Sequence, residues 1–436
     1  MSKLWIRDLR SHGSPSERPA SAWFRRIRSG VVLLLLGILC LISPDNVGAQ
    51  TGALPAEGLQ GGELFASDLE NYLCPRQIVQ RTPQRCPPFG PGTRQARISY
   101  LSARLPRPLP DLPATQLPQP VDSVTSFTYG RIYDLPAPSY RHPAEAAMGL
   151  DPLRIFQSNI NWVSLRAGVT YGDELWYQVN ANEYIRSQHI DFPEPSSFQG
   201  VQIIESPEYP FAWLRRALQP SPAPGASPAP VGDSVLPIRH LVSIFATETL
   251  NGERWVMVGP GQWIQHDAAA QVTPKAPPPG VPPGAKWIEI DTYEQTLAAY
   301  EGERLVYATL TTSGQPEVLT PLGLFRIYRK VRTALMQSID RPMDDRFWYY
   351  LEDVEHAQFF NERISLHAAY WHDDFGSVRS NGCVNLAPLD ARWLYAWTDP
   401  QLPPGASWVS PEVADEGQTW IWVHHSAPAL IQKPPP

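Results

Sequence analysis

The stretch ISLHAAYWHDDFGSVRSNGCVNLAPLDARWLYAW, Ile364 to Trp397, decides how this chain is read. It holds one cysteine, Cys383, two histidines, His367 and His372, and a run of small and polar turn residues between them. A cysteine attacks a carbonyl carbon as its thiolate, so it needs a base or a cation close by. His367 and His372 are the histidines nearest to Cys383 in the sequence, and a loop can bring a partner of this kind into contact. Gly382 lets the backbone turn tightly just before the sulfur. Backbone N–H groups of Gly382 and Cys383 can then converge on one point and hold an oxyanion. Beyond the loop, Pro388 suits a first helical turn, and Ala391, Trp393, Leu394 and Trp397 recur at helical spacing, which predicts a helix over Leu389 to Thr398.

Two other readings compete for the same residues. His367 and His372, with Asp373 and Asp374, can be taken as metal ligands. A spacing of five does not put two histidines on one helical face, and no second cluster completes a site, so no metal is expected. Cys383 can also be a small buried apolar residue. Its neighbours Ser380, Asn381 and Gly382 are loop-forming, which favours an accessible thiol.

Outward from this stretch the sequence reads as mostly β. Trp287-Ile288-Glu289-Ile290 alternates. Leu305 to Leu310 follows a Glu301-Gly302-Glu303 turn, and Leu324 to Tyr328 follows Thr320-Pro321-Leu322-Gly323. Prolines, 48 in all, gather in bunches that read as linkers. QPSPAPGASPAPVGD at 219–233 and TPKAPPPGVPPGA at 273–285 divide the chain into pieces at 121–218, 234–272 and 286–426, with a Pro-rich tail at 427–436. The first two pieces share a repeat. Trp176-Tyr177-Gln178-Val179 is followed by Tyr184-Ile185, and Trp255-Val256-Met257-Val258 by Trp263-Ile264 at the same spacing. An acidic turn precedes each tryptophan, and the pair looks like two small β-barrels similar to bacterial SH3-like domains. Such modules bind peptides or wall polymers, although tryptophans that pack a small barrel account for the same residues.

The N-terminus carries a basic segment ending in Arg25, Arg26 and Arg28, then the apolar run VVLLLLGILCLI from Val31 to Ile42. That run is shorter than the ~20 residues a spanning helix needs. It fits the apolar region of a secretory signal over residues 1–49, with Val47-Gly48-Ala49 as a small-residue cleavage site. Leu39 before Cys40 is not the small residue a lipidated cysteine calls for. The chain is therefore expected to be exported, to the periplasm, cell wall or exterior, with the N-terminal segment as a signal or short membrane anchor. Residues 50–120 are Pro-rich, and in an oxidising compartment Cys74 and Cys86 are close enough to pair. Cys383 is then left unpaired. The formal charge of −7 is spread along the chain and gives no footprint for nucleic acid.

The order of motifs at 286–400 resembles the YkuD-type L,D-transpeptidases. Their signature is a histidine, a spacer, then Ser/Thr-His-Gly-Cys, an apolar residue, and Asn or Arg. Here it reads His367, a spacer, then Ser380-Asn381-Gly382-Cys383-Val384-Asn385. Thr320 to Phe325 resembles the family's Thr-Pro-x-Gly-x-Phe segment, and Trp287 to Asp291 its opening strand. The resemblance implies a β-sandwich or barrel-like catalytic domain with one or two short helices. It implies Cys383 as nucleophile, His367 as base, Gly382 and Cys383 as oxyanion donors, and no cofactor. Peptidoglycan stem peptides are the implied partners, with glycan or wall polymer a further partner of the SH3-like modules. Asn381 stands where the family has histidine, which bears on substrate contacts rather than on the base. Ser380, Asn381, Asn385, Arg379, His372 and Tyr370 are the candidates for binding substrate or shaping the loop. Three rival readings remain: a wall-binding protein without activity, a carboxypeptidase using water as acceptor, and an enzyme attaching a protein to the wall.

Overall fold

Strands dominate because β-branched and aromatic runs are punctuated by tight turns, many with glycine at positive φ. The computed structural model describes residues 91–116, 123–157, 160–228, 235–410 and 417–427. The expected signal at 1–49, the Cys74–Cys86 pair and the tail beyond Ala427 lie outside the described residues, as does most of the Pro-rich region.

Two sheets carry the C-terminal third. One has seven strands in the order Ala114–Thr115, Val201–Ile203, Arg304–Leu310, Thr296–Glu301, Lys286–Asp291, Trp420–His424 and Gly323–Arg326. The other runs Val384–Leu386, Ile364–Ala368, Tyr350–Asn361, Asn161–Leu165, Thr128–Ile132 and Ile190–Asp191, with Arg329–Gln337 paired along Tyr350–Asn361. Ile288, Ile290 and Leu297 of the first sheet pack against Phe360, Leu366, Val384 and Leu386 of the second. The opposite face of the first sheet is covered too: Trp287, Ala298 and Tyr300 pack on Phe211, Trp213 and Val272. This double burial explains why Lys286–Asp291 lacks a polar face, and why Glu289 is buried. Its carboxylate meets Lys275 Nζ, the Tyr300 hydroxyl at 3.1 Å and His424 at 2.7 Å.

The helix runs Pro388–Trp397, and Thr398 caps it in an extended conformation instead of continuing it. Proline opens it as expected. Lys330 Nζ donates to Tyr395 O at 2.7 Å and Thr398 O at 2.8 Å, satisfying carbonyls at the end of the helix. Asp390 in its first turn is fully buried and accepts from Gly200 N–H at 2.8 Å and the Tyr307 hydroxyl at 2.6 Å.

The repeat is present in register. Strand Glu174–Asn180 pairs with Glu183–Arg186 and leads through a 3₁₀ turn, Ser187–His189, into Ile190–Asp191. Glu253–Gly259, Gln262–Gln265, His266–Ala268 and Ala269–Val272 repeat that order. Trp176 faces Arg186 as Trp255 faces Gln265, and both hairpins carry an irregularity two residues later.

The expected boundaries are not where the chain divides. Phe211–Leu214, ahead of the Pro-rich 219–233 stretch, pairs with Leu241–Ser243 and Ala269–Val272 beyond it. Ser221 is bridged to Trp263 as well. The proline-rich run is therefore a loop within one unit, because the pairing that closes that unit is nonlocal. Likewise Asn161–Leu165 and Val201–Ile203, assigned above to the first piece, hydrogen-bond into the two sheets of the C-terminal third.

Candidate active site

A parallel strand pair builds the site. Leu366 faces Val384, His367 faces Asn385 and Ala368 faces Leu386. Side chains alternate along a strand, so Ser365 and His367 share one face and Cys383 and Asn385 share the adjoining one. Parallel register sets the four in a square. Ser365 Oγ lies 3.8 Å from Cys383 Sγ. His367, Cys383 and Asn385 all border a cavity of about 350 Å³.

His367 is buried and its Nδ1 lies 3.0 Å from Ala368 O. A carbonyl only accepts, so Nδ1 carries the proton and Nε2 is left bare. Burial holds the imidazole down at about 4, so the ring is a neutral base at ordinary pH. Trp371 stacks on it with ring centres 5.7 Å apart. The Cys383 thiol is half-buried and free. Burial pushes its pKa up, while hydrogen bonding from Ser365 opposes that rise. Its other polar contact is Arg363 O at 3.8 Å. The resting pair is thus thiol and imidazole, with no hydrogen bond between them.

The loop that leads into Cys383 is tied at several points. Gly382 has φ 106, so the conformation calls for glycine, and a Cβ there would press on the movable Ile364 Cδ1 at 2.9 Å. Thr320 Oγ1 donates to Gly382 O at 2.9 Å and accepts from Gly314 N–H at 2.9 Å, joining the Thr-Pro segment to the loop. Ser380 Oγ donates to Cys383 O and accepts from Gly382 N–H at 3.2 Å. The Gly382 N–H, expected in the oxyanion hole, is engaged by Ser380 in this arrangement. Asn381 Nδ2 donates to Phe347 O at 2.8 Å, joining the loop to the 338–349 connection.

His372 supports Asn385 from behind. Asp374 N–H donates to His372 Nδ1 at 3.2 Å, so the neutral ring carries its proton on Nε2. Asn385 Nδ2 lies 3.0 Å from Nε2; with the ring proton on Nε2, the amide turned end for end would accept that N–H through its oxygen. His372 is outside the cavity wall, and burial lowers its pKa to about 4. Tyr370 is elsewhere: it stacks on Tyr129 at 3.4 Å and donates to Glu352 O at 2.6 Å inside the core. Its expected place near substrate is corrected accordingly, since the chain leaves the strand after Ala368 and Tyr370 packs against Tyr129 and Trp162. Arg379 borders the cavity, paired with Asp374.

Several lining residues went unnoticed in the sequence. Gln315, Arg346, Tyr349, Arg131 and Trp162 line the cavity from distant strands and loops with no local signal. Ser365 is buried beside the thiol, outside the cavity wall, and was legible as the residue two before His367. One acidic and histidine group elsewhere, Glu289, Asp291 and His424, has the geometry to hold a cation, but Lys275 Nζ already meets Glu289 there.

Residues 285–416 match the model of the YkuD L,D-transpeptidase catalytic domain. The chain carries a YkuD domain. It is 33% identical to Probable L,D-transpeptidase 3 of Mycobacterium tuberculosis over 91 residues, 20% of this chain and 33% of that protein. It is 26% identical to L,D-transpeptidase 1 of the same organism over 205 residues, 40% of this chain and 81% of that protein. The chain thus spans a third of the length of one relative and most of the other. A solved L,D-transpeptidase from Mycobacterium smegmatis aligns over 43% of this chain and 75% of its own, at 20% identity and a TM-score of 0.27. The square of Ser365, His367, Cys383 and Asn385 lies wholly within the YkuD domain.

Proposed function

We propose that the chain is a peptidoglycan L,D-transpeptidase that works through a thioester on Cys383. The observation that carries this is a neutral imidazole with a bare Nε2, lining one cavity with an unpaired thiol. His367 takes the thiol proton as sulfur bonds to the carbonyl carbon of the third residue of a stem tetrapeptide. The tetrahedral oxyanion draws on backbone N–H groups at Gly382 and Cys383, for which Gly382 N–H exchanges its long bond to Ser380. The C–N bond to terminal D-alanine breaks, and the imidazolium gives its proton to the leaving amine. An amine of a second stem then attacks the thioester, His367 takes the proton it releases, and as the C–S bond breaks the imidazolium returns that proton to the sulfur, restoring thiol and neutral imidazole. Water in place of the amine gives a carboxypeptidase.

We read the chain as exported, on its N-terminal segment, with the repeats as SH3-like modules that contact wall polymer. Carbapenems acylate the cysteine of this family, so they serve as a probe. Intact mass spectrometry of residues 50–436 with a carbapenem is expected to give one adduct on the wild type and none on Cys383→Ala. A folded wild type that takes no adduct and releases no D-alanine from a tetrapeptide favours the wall-binding reading.

A further inference from the structure

Three arginines border the cavity, Arg131, Arg346 and Arg379. The chain supplies partners for two of them: Glu317 pairs with Arg346 at 2.8 Å, and Asp374 pairs with Arg379. Arg131 makes no ion pair and no side-chain hydrogen bond among the described residues. Asp191 faces it in register, but Asp191 Oδ1 accepts the Phe192 N–H at 2.9 Å and does not pair with the guanidinium.

Arg131 belongs to the first repeat unit, outside the YkuD domain, yet strand pairing fixes it at the cavity. Its strand, Thr128–Ile132, places Arg131 opposite Trp162, which lines the cavity too. The strand of Trp162 runs parallel to Tyr350–Leu351 of the catalytic sheet. Tyr129, on the same face as Arg131, stacks on Tyr370. Trp162 and Trp371 give the same cavity apolar wall, and a stem held against it would displace water from the exposed guanidinium and strengthen its pull on an anion.

We propose that Arg131 is a specificity-determining residue that pairs with a carboxylate of the acyl donor, so that the first repeat unit forms part of the active site and selects anionic stems. This rests on the reading of Cys383 as an acyl-transfer nucleophile. The planar guanidinium suits two-point contact with a carboxylate, and an amidated stem offers no such partner.

The test uses the mature chain and two stem tetrapeptides ending in D-alanine, one with its internal carboxylates free and one with them amidated. Release of D-alanine is followed for the wild type, Arg131→Ala and Arg131→Lys. The wild type is expected to favour the acidic donor by about tenfold in kcat/KM. Arg131→Ala is expected to erase that preference through KM with kcat nearly unchanged, and Arg131→Lys to keep part of it. Arg131 is exposed, so these variants are expected to fold. A preference that survives in Arg131→Ala, or equal use of both donors by an active wild type, overturns the inference alone. A wild type that processes neither donor and takes no carbapenem adduct overturns the acyl-transfer reading, and this inference with it.

Discussion

Ser365 Oγ stands 3.8 Å from Cys383 Sγ, directly across the parallel pair that carries the site. The hydroxyl opposes the rise that burial imposes on the thiol. Ser365→Ala removes that support and leaves the backbone register intact. Alkylation of Cys383 by iodoacetamide at pH 8 is expected to slow, because less of the thiol is present as thiolate. An unchanged rate would mean that the hydroxyl only fills space.

The base is already neutral far below neutral pH. Because burial holds His367 at about 4, the acid limb of kcat/KM for Cys383 acylation is expected near pH 4 and not near 6.5. A pH profile of carbapenem acylation, read over seconds to stay ahead of acid unfolding, checks this. A limb near 6.5 would mean that the free enzyme holds the imidazolium.

Arg239 reaches over Phe198 to Asp373, pairing with its carboxylate at 2.7 Å and donating to its carbonyl at 2.5 Å, while Ser196 bonds the same carboxylate. The second repeat unit thereby grips the loop that leads from His372 to Cys383. The ion pair is partly exposed, so Arg239→Ala is expected to cost global stability no more than about 1 kcal/mol. Acylation is expected to fall several-fold, and amide exchange across 372–382 to rise. A large loss of melting temperature with unchanged exchange in the loop would contradict this.

His356 is half-buried beside the cations Arg392, Lys330 and Arg332, and its pKa is lowered to about 4, chiefly by desolvation of the ring. Unfolding restores its ordinary value near 6.5, so the unfolded chain binds a proton here that the folded chain refuses between those values. Its contribution to stability is full above pH 6.5 and is lost as pH falls through that window. Replacing it by asparagine is expected to reduce the destabilisation between pH 7 and pH 4 by about 3 kcal/mol in urea titrations. Equal acid sensitivity in both proteins would refute the assignment.

Cys383, His367 and Gly382 were legible because short-range chemistry marks them: one unpaired thiol, the nearest imidazoles and a glycine the turn needs. The repeat was legible because each copy folds on itself through a local hairpin. Arg131 and Trp162 were not, since only the pairing of Asn161–Leu165 with Tyr350–Leu351 brings them to the cavity. Tyr370 misled for the opposite reason: it is near His367 in sequence, yet past the end of that strand it packs into the core on Tyr129 and Trp162. The Pro-rich 219–233 stretch misled because composition marks flexibility of the chain and says nothing about which strands meet on either side of it.

The sheet shared between Asn161–Leu165 and Tyr350–Asn361 means that the unit of homology and the unit of folding differ in this protein. Excising the YkuD domain at its sequence boundary would bare strand edges at Tyr350–Leu351 and at Arg304–Leu310, where Val201–Ile203 now pairs. Such a fragment is expected to associate through those edges, and its cavity would be missing a wall. The smallest piece of this chain able to act as an enzyme therefore begins well before the matched domain, ahead of Thr128.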